Sequence, residues 1–195
     1  MLVAVEHPTT AALEAGLDHV RAAPTDRGRL ELIVRRPAVD EREVLAVGAL
    51  DRGEGLVGDT WRVRPSTRTT DGSAHPDMQL NVMSSRVAQL VAGRADRWEL
   101  AGDQLFVDLD LSEANLPAGT RLELGSAVIE ITDQPHQGCA KFASRFGRDA
   151  LRFVNSAAGR ELRLRGLNAK VIVAGTVNTG DEIRKLPASE RPLSR

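Results

Sequence analysis

The sequence lacks the features that mark disulfide-rich, nucleic-acid-binding, membrane and secreted proteins. Its 195 residues contain one cysteine, Cys139, which excludes an internal disulfide and suits a reducing cytoplasm. The formal net charge of −1 gives no electrostatic reason to expect nucleic acid or an acidic membrane as a partner. No apolar run approaches the roughly 18 residues of a membrane span, and residues 1–8 lack the basic start and cleavage site of a signal peptide. We therefore expect a cytoplasmic protein with neither nucleic acid nor a membrane as partner.

The composition that is present is typical of a single globular domain. Hydrophobic residues make up 42% of the chain and charged residues 27%. A chain of this length is long enough for one core and too short for two full domains. The glycine-rich segment 51–59 lacks the Gly-Lys-Ser/Thr ending of a phosphate-binding loop and does not precede a helix, so we interpret it as turns.

Apolar residues alternate along many short segments, which predicts a strand-rich protein. Strands are predicted at residues 30–35, 44–50, 61–64, 78–83, 105–111, 121–124, 127–132, 161–166, 169–174 and 182–186. Helical spacing occurs at 11–20, from Ser84 or Ser85 to Val91, and at 143–154. Because the helices do not alternate with the strands, a parallel α/β sheet is disfavoured. We predict a β-rich α+β fold, a closed or partly open β-barrel with a few peripheral helices.

The single cysteine lies in a polar loop, Pro135–Phe142, between a predicted strand and a predicted helix. Free backbone N–H groups at a helix start favour the thiolate, which is the nucleophilic and metal-binding form. His136, Lys141 and Arg145 would add positive charge. The alternative is a small buried hydrophobic residue without chemistry. Buried core positions rarely need such polar neighbours, so we carry the functional interpretation beside the structural one.

Two further groups of polar residues have a functional and a structural interpretation. His75 lies in the polar segment 65–77 and would be either a site residue or, as we favour, a solvated loop histidine. Asp108 and Asp110 share one face of a predicted strand, where paired carboxylates would bind a metal or act as acid and base. Since no further ligands accompany them, a polar outward face is favoured.

A series of short motifs, in this order and spacing, resembles the MOSC domain family, the module at the carboxyl end of molybdenum-cofactor sulfurases and in stand-alone bacterial proteins. The motifs are Gly58-Asp59-Thr60-Trp61, residues 110–116, Gly119, residues 124–127, Gly138-Cys139-Ala140-Lys141, residues 166–177 and Gly180-Asp181. They cover residues 44–186, which leaves 1–28 as a helical extension and 187–195 as a loose tail of a single domain. Two features depart from the family. Gly138 stands where many members have a proline before the cysteine, and a His-Gly-Gly element after the Gly-Asp motif is absent.

The resemblance implies a β-barrel of the MOSC or pyruvate-kinase barrel-like type, with the cysteine in a cleft. It also implies molybdenum cofactor as a ligand, with Cys139 as its molybdenum ligand or as a carrier of persulfide sulfur. The residues expected to hold the cofactor, chiefly its phosphate, are His136, Lys141, Arg145, Arg163, Arg165 and Asn115. For Arg163 and Arg165 the favoured alternative is one solvated strand face. The chain is too short to contain the pyridoxal-phosphate domain of full-length sulfurases.

These expectations describe a sulfur-transfer or molybdenum-dependent redox protein that works with a sulfur donor, a sulfur acceptor or a redox partner. The alternative is a non-catalytic module that binds an anionic small ligand and in which Cys139 is structural. A cysteine hydrolase would need His136 or His75 as base. This is disfavoured, because His136 is only three residues from the cysteine.

Overall fold

The computed structural model describes residues 6–187, which form eleven strands, five α-helices and three short 3-10 helices. The strands are β1 (Arg27–Arg35), β2 (Glu43–Leu45), β3 (Val47–Asp51), β4 (Gly55–Leu56), β5 (Leu80–Ser84), β6 (Leu105–Asp108), β7 (Arg121–Leu124), β8 (Ala127–Ile131), β9 (Leu167–Val173), β10 (Gly175–Asn178) and β11 (Glu182–Lys185). The α-helices are α1 (Thr10–Ala15), α2 (Leu17–Arg21), α3 (Ser85–Ala92), α4 (Ala140–Val154) and α5 (Ala157–Glu161). The 3-10 helices are Thr60–Val63, Pro76–Met78 and Ala95–Ala101.

Seven of the strands close a β-barrel in the order β1, β6, β5, β9, β8, β7, β11 and back to β1. All neighbours are antiparallel except β5 and β6, which run parallel. The pairing of Arg27–Arg29 with residues 182–184 of β11 completes the closure. The prediction of a β-rich barrel with a few peripheral helices is therefore confirmed.

Alternation along the barrel strands separates two hydrophobic cores. In β6, Leu105 and Val107 belong to the core inside the barrel, whereas Phe106 between them packs with the helices outside. Val82 and Met83 of β5 divide in the same way. Successive side chains of a strand point to opposite faces, so each of these strands serves both cores.

A second sheet, in the order β10, β3, β4, is separate from the barrel sheet. β3 pairs with β10 from Val47 to Leu50, and Leu50 also pairs with Leu56 of β4. Leu50, Leu56 and Val177 contribute their side chains to the core inside the barrel. The small sheet thus extends that core.

Helix α4 turns back on itself at Gly147. The backbone there has φ 91° and ψ 163°, a conformation that is essentially restricted to glycine. A straight helix of 15 residues would be about 22 Å long. Asn155 directly follows α4, and Gly138 lies two residues before the helix begins. The Asn155 side chain nevertheless bonds both the N–H and the carbonyl of Gly138. The helix is therefore a pair of short segments whose outer ends meet.

Two of the predicted strands are wrong. Residues 60–63 form a 3-10 helix that ends before Arg64, because the Asp59 side chain accepts a hydrogen bond from the Trp61 N–H at 2.8 Å and starts a turn. Residues 161–166 contain the end of α5 and a turn, in which Arg163 has a φ of 48°. The Leu164 N–H bonds the Gly159 carbonyl at 2.8 Å and closes the end of α5, so these residues terminate a helix rather than pair with a strand.

The remaining segments agree with the predicted type, with shifted ends. The first helical prediction corresponds to α1 and α2 and lies before the barrel, whose first strand begins at Arg27. The predicted loose tail, apart from Pro187, lies outside the described residues. No helix within residues 6–187 is long and apolar enough to cross a membrane.

Candidate active site

Cys139 is exposed and lies immediately before α4, in an extended conformation. Its thiol makes no hydrogen bond with any of the residues that the structure describes. In particular, neither His136 nor His75 bonds to it, so no histidine is placed as a base for the sulfur. The thiol is accessible to solvent and to reagents.

The backbone that carries Cys139 is held by Asn155. Its Oδ1 accepts a hydrogen bond from the Gly138 N–H at 2.9 Å, and its Nδ2 donates to the Gly138 carbonyl at 3.0 Å. A Cβ atom at position 138 would lie 2.8 Å from Leu151 Cδ1 and 3.0 Å from Val154 Cγ2. The loop is therefore packed tightly against the end of α4, and the cysteine is presented from a fixed backbone.

Cationic side chains surround the first turns of α4. Lys141 Nζ and Arg145 Nη2 lie 3.1 and 3.2 Å from the same oxygen of Asp40, and Arg145 also donates to the Leu100 carbonyl at 2.8 Å. Hydrogen bonding to Lys141 and its charge hold the pKa of Asp40 below its usual value. Lys141 and Arg145 are thus brought together beside Cys139 along the chain.

Three more arginines extend this charge, and we call the whole group the cationic cluster. Its members are Arg36, Arg42, Arg64, Lys141 and Arg145. Burial lowers the pKa of Arg42, and the charges of Arg145, Arg36 and Arg64 lower it further. The Nε of Arg42 is buried without a hydrogen-bond partner among the described residues. Burial likewise lowers the pKa of Arg64, followed by the charge of Arg36.

Arg36 is the buried member of the cluster and pairs with Asp59. Its Nε and Nη2 each donate to one carboxylate oxygen of Asp59 at 2.8 Å, and its Nη1 donates to Asn81 Oδ1 at 3.2 Å and the Gly102 carbonyl at 2.9 Å. The carboxylate side chain is fully buried, and that of the arginine is 5% exposed. Every guanidinium nitrogen of Arg36 therefore has a partner, and the pair fixes the segment that follows β1.

A cavity of about 120 Å³ opens beside this pair. The side chains that line it include Arg36, Trp61, Arg64, His75, Met78 and Asn81. Asn81 donates to Asn168 at 2.7 Å, and Asn168 donates to the Gln134 carbonyl at 3.1 Å. Buried amides thus connect the cavity with the segment that leads to Cys139.

His136 and Arg165 form a buried group rather than a solvent-facing one. Arg165 donates to Asp103 at 2.6 Å and to the Ala101 carbonyl at 3.0 Å, and its guanidinium lies 5.0 Å from the centre of the Phe142 ring. His136 Nδ1 lies 3.5 Å from the other oxygen of Asp103. That carboxylate is already neutralised by Arg165, so burial and the charges of Arg165 and Arg36 prevail and hold the pKa of His136 well below its usual value.

The remaining two residues predicted to hold a cofactor are not part of the cationic cluster. Asn115 donates to the Thr25 and Asp110 carbonyls at 2.9 and 2.8 Å and accepts from Lys185 at 2.7 Å. Arg163 lines a different cavity, of about 190 Å³, and donates to the Leu116 carbonyl at 2.6 Å.

Comparison with known families identifies the chain. The model of the MOSC domain matches residues 69–184, which is more than half of the sequence. The chain belongs to the MOSC domain family.

Solved structures agree in fold. The YuaD protein from Bacillus subtilis matches with a TM-score of 0.58 and 19% identity, over 80% of this chain and 94% of that one. YiiM from Escherichia coli matches with a TM-score of 0.53 and 20% identity, over 82% of this chain and 70% of that one. No curated protein sequence matches this chain. At these identities the likeness establishes the MOSC fold and no particular activity.

The contacts of Gly138 explain why this MOSC chain lacks the Pro-Cys pair. Proline has no N–H to donate to Asn155, and its ring would require the space that Leu151 and Val154 occupy. Glycine in place of the family's proline is therefore consistent with the bond between Gly138 and Asn155 and with the tight packing around residue 138.

The paired aspartates of β6 and its following loop have structural partners. Asp108 binds Arg86 at 2.6 Å, and Asp110 accepts hydrogen bonds from the backbone N–H and the hydroxyl of Ser112. No group of three or more metal-ligating His, Cys, Asp or Glu side chains occurs in residues 6–187. His75 accepts a hydrogen bond from the Asp77 N–H at 3.2 Å at the rim of the smaller cavity.

Sequence reasoning did not single out four residues of the candidate site: Arg36, Arg42, Arg64 and Asn155. The Gly58-Asp59 motif was a signal that Asp59 matters, but nothing in the sequence identified Arg36 as its partner. Arg42 lies in a segment without regular periodicity, and the alternation of residues 61–64 predicted a strand, so the approach of Arg42 to Arg145 and of Arg64 to Arg36 depends on the tertiary fold.

Proposed function

We propose that this MOSC protein uses Cys139 as a working thiol, either as the molybdenum ligand of a bound molybdenum cofactor or as a carrier of persulfide sulfur. The observation that supports this most strongly is the exposed cysteine on a backbone fixed by Asn155, next to Lys141 and Arg145. A structural cysteine would be expected in a core, whereas this thiol is open to solvent.

The cationic cluster fits an anionic cofactor. The five cations lie near the carboxylates of Asp40, Asp59 and Asp103, and Asp103 is already paired with Arg165, which leaves an excess of positive charge. The buried, unpartnered Nε of Arg42 is a donor that a phosphate oxygen would satisfy. We assign the cofactor phosphate to Arg42, Lys141 and Arg145, and its metal to the soft sulfur of Cys139. When bound, the cofactor would supply a redox-active metal.

Sulfur transfer would use the same thiol without a metal. The Cys139 thiolate attacks the outer sulfur of a donor persulfide and forms an S–S bond. The donor's S–S bond breaks, and the donor leaves as a thiolate. Residues 6–187 fold as the barrel, the small sheet and the helices, and we assign the supply of sulfane sulfur to a donor outside them, a protein or a small molecule.

We assign supporting roles to the other polar residues near the loop. Arg165 donates to Asp103 and the Ala101 carbonyl and packs on Phe142, so we assign it a role in stabilising the start of α4. His136 is neutral and buried beside Asp103. Asn115 uses its amide inside the fold, and we assign it no ligand.

The test compares the wild-type chain with Cys139→Ser after expression in a host that makes molybdenum cofactor. Metal, pterin and phosphate are assayed together, and persulfide is labelled in a parallel sample treated with a sulfane donor. We expect loss of cofactor retention or of labelling in Cys139→Ser. If Cys139→Ser retains as much cofactor and takes up as much persulfide label as the wild type, Cys139 is not the site.

Two controls refine the assignment. Lys141→Gln should weaken retention, whereas Arg148→Gln, which removes one exposed positive charge from the same helix, should not. Native wild-type protein should react with a thiol reagent at once. Reaction only after unfolding would favour a structural cysteine and a non-catalytic binding module.

A further inference from the structure

The cavity of about 190 Å³ that Arg163 lines has no role in the proposed function. Its walls include the segment 132–137 that leads to Cys139, together with Asn155, Arg160, Arg163 and Glu113. One water occupies on the order of 10–15 Å³ by the same kind of measure, so there is room for a small molecule.

The two arginines of this cavity are bonded only to neutral groups. Arg160 Nη1 donates to the Asn155 carbonyl at 2.6 Å, and Arg163 Nη1 donates to the Leu116 carbonyl at 2.6 Å. Within residues 6–187 neither forms an ion pair with a carboxylate, although the charge of Glu113 acts on Arg163. Each guanidinium therefore keeps further N–H donors that bond none of the described residues, although the carboxylates of Glu113 and Asp133 also line the cavity.

Arg163 is held in this position against two unfavourable terms. Its φ of 48° lies in the left-handed region, which is uncommon for residues other than glycine. Its guanidinium is half-buried, and that burial lowers the pKa of Arg163. The left-handed backbone belongs to the turn that ends α5. That turn places a partly desolvated cation at the cavity wall, where an anionic ligand would offset the cost of its burial.

We propose that this cavity is a binding site for a small oxyanion, held between Arg160 and Arg163. The arginine fork matches the oxygen pairs of carboxylate, sulfate and phosphate groups. Asn155 lines the cavity and bonds Gly138, so the ligand lies against the same loop that presents Cys139. The site depends on neither metal nor sulfur chemistry at the cysteine.

The probes are inorganic sulfate and acetate, titrated into the full chain at constant ionic strength and followed by the backbone amide resonances of residues 132–138. We expect saturable shifts with at least one probe. Arg163→Asn removes the charge while keeping a residue that tolerates the left-handed backbone, and Arg160→Gln removes the other charge at an exposed position. Each should weaken binding at least about tenfold, because charge-assisted hydrogen bonds are lost.

Arg148→Gln is the matched control, since it removes one exposed arginine from α4 and should leave the affinity unchanged. Cys139→Ser should also bind as the wild type does, which separates this site from the proposed thiol function. The proposal is overturned if neither probe gives a saturable shift. It is equally overturned if folded Arg163→Asn and Arg160→Gln bind like the wild type, or if Arg148→Gln weakens binding as much as they do.

Discussion

Replacing Gly147 with alanine tests the turn that brings the two ends of α4 together. The backbone there has φ 91° and ψ 163°, a region that side-chain-bearing residues enter only at a strain of roughly 1–3 kcal/mol, and at the upper end where glycine alone is tolerated. A Cβ atom would also lie 2.9 Å from the Cβ of His7. His7 is exposed and can move, so the backbone strain decides the effect.

We expect Gly147→Ala to lower the free energy of unfolding by about 3 kcal/mol. For a chain of this size that corresponds to a fall in Tm of roughly 6–12 °C. Urea denaturation followed by circular dichroism measures the first quantity, and a thermal scan measures the second.

Gly93→Ala is the matched control. Gly93 ends α3 with φ 74° and ψ −23°, and a Cβ atom there would meet nothing within 4 Å. The ordinary left-handed strain predicts a loss of about 1–2 kcal/mol. If Gly147→Ala is no less stable than Gly93→Ala, the inference that residue 147 reverses the helix through a glycine-only conformation is wrong.

Three further predictions concern the loop and the buried pair. Asn155→Ala removes two hydrogen bonds and should lower the free energy of unfolding by about 2 kcal/mol. It should also reduce the loading of Cys139 with cofactor or persulfide sulfur, and Asn155→Asp, which retains the acceptor, should restore part of that loading. Equal loading in the wild type and both variants would contradict the role of Asn155 in positioning the cysteine. His136 is neutral in the folded protein, but in the unfolded chain it takes up a proton below its ordinary pKa of 6.5. The free energy of unfolding should therefore fall by up to about 1.4 kcal/mol for each pH unit below that value. Urea melts of His136→Gln should lack this pH dependence, and an unchanged dependence would refute the assignment to His136. Asp59→Asn leaves the buried Arg36 charge without its carboxylate and should destabilise the protein by about 3–5 kcal/mol in the same melts; a loss below about 1 kcal/mol would be inconsistent with that burial.

The barrel could be predicted from the sequence because its strands alternate between two cores. Leu105, Phe106 and Val107 illustrate this. All three side chains are buried, the first and third inside the barrel and the second between the barrel and the helices. The alternation of residues 61–64 had another cause. Val63 is 79% exposed there, so the pattern did not reflect burial, and the turn set by Asp59 decided the structure.

The cysteine loop could also be predicted, because residues 127–142 carry local signals for a strand, a turn and a helix start. The partners of that loop could not. Asn155 reaches Gly138 only because Gly147 reverses α4, and Arg42 reaches Arg145 only through the tertiary fold. Contacts between distant parts of the chain leave no periodic pattern.

The closure of the barrel has a consequence for any attempt to study the family region alone. Strand β1 bonds to β6 on one side and β11 on the other, yet it lies before residue 69, where the match to the MOSC model begins. A fragment cut at that boundary would leave one edge of β6 and one edge of β11 with unpaired backbone groups. Such open edges recruit strands from other molecules, so we expect the fragment to self-associate through the two edges that β1 covers in the whole chain.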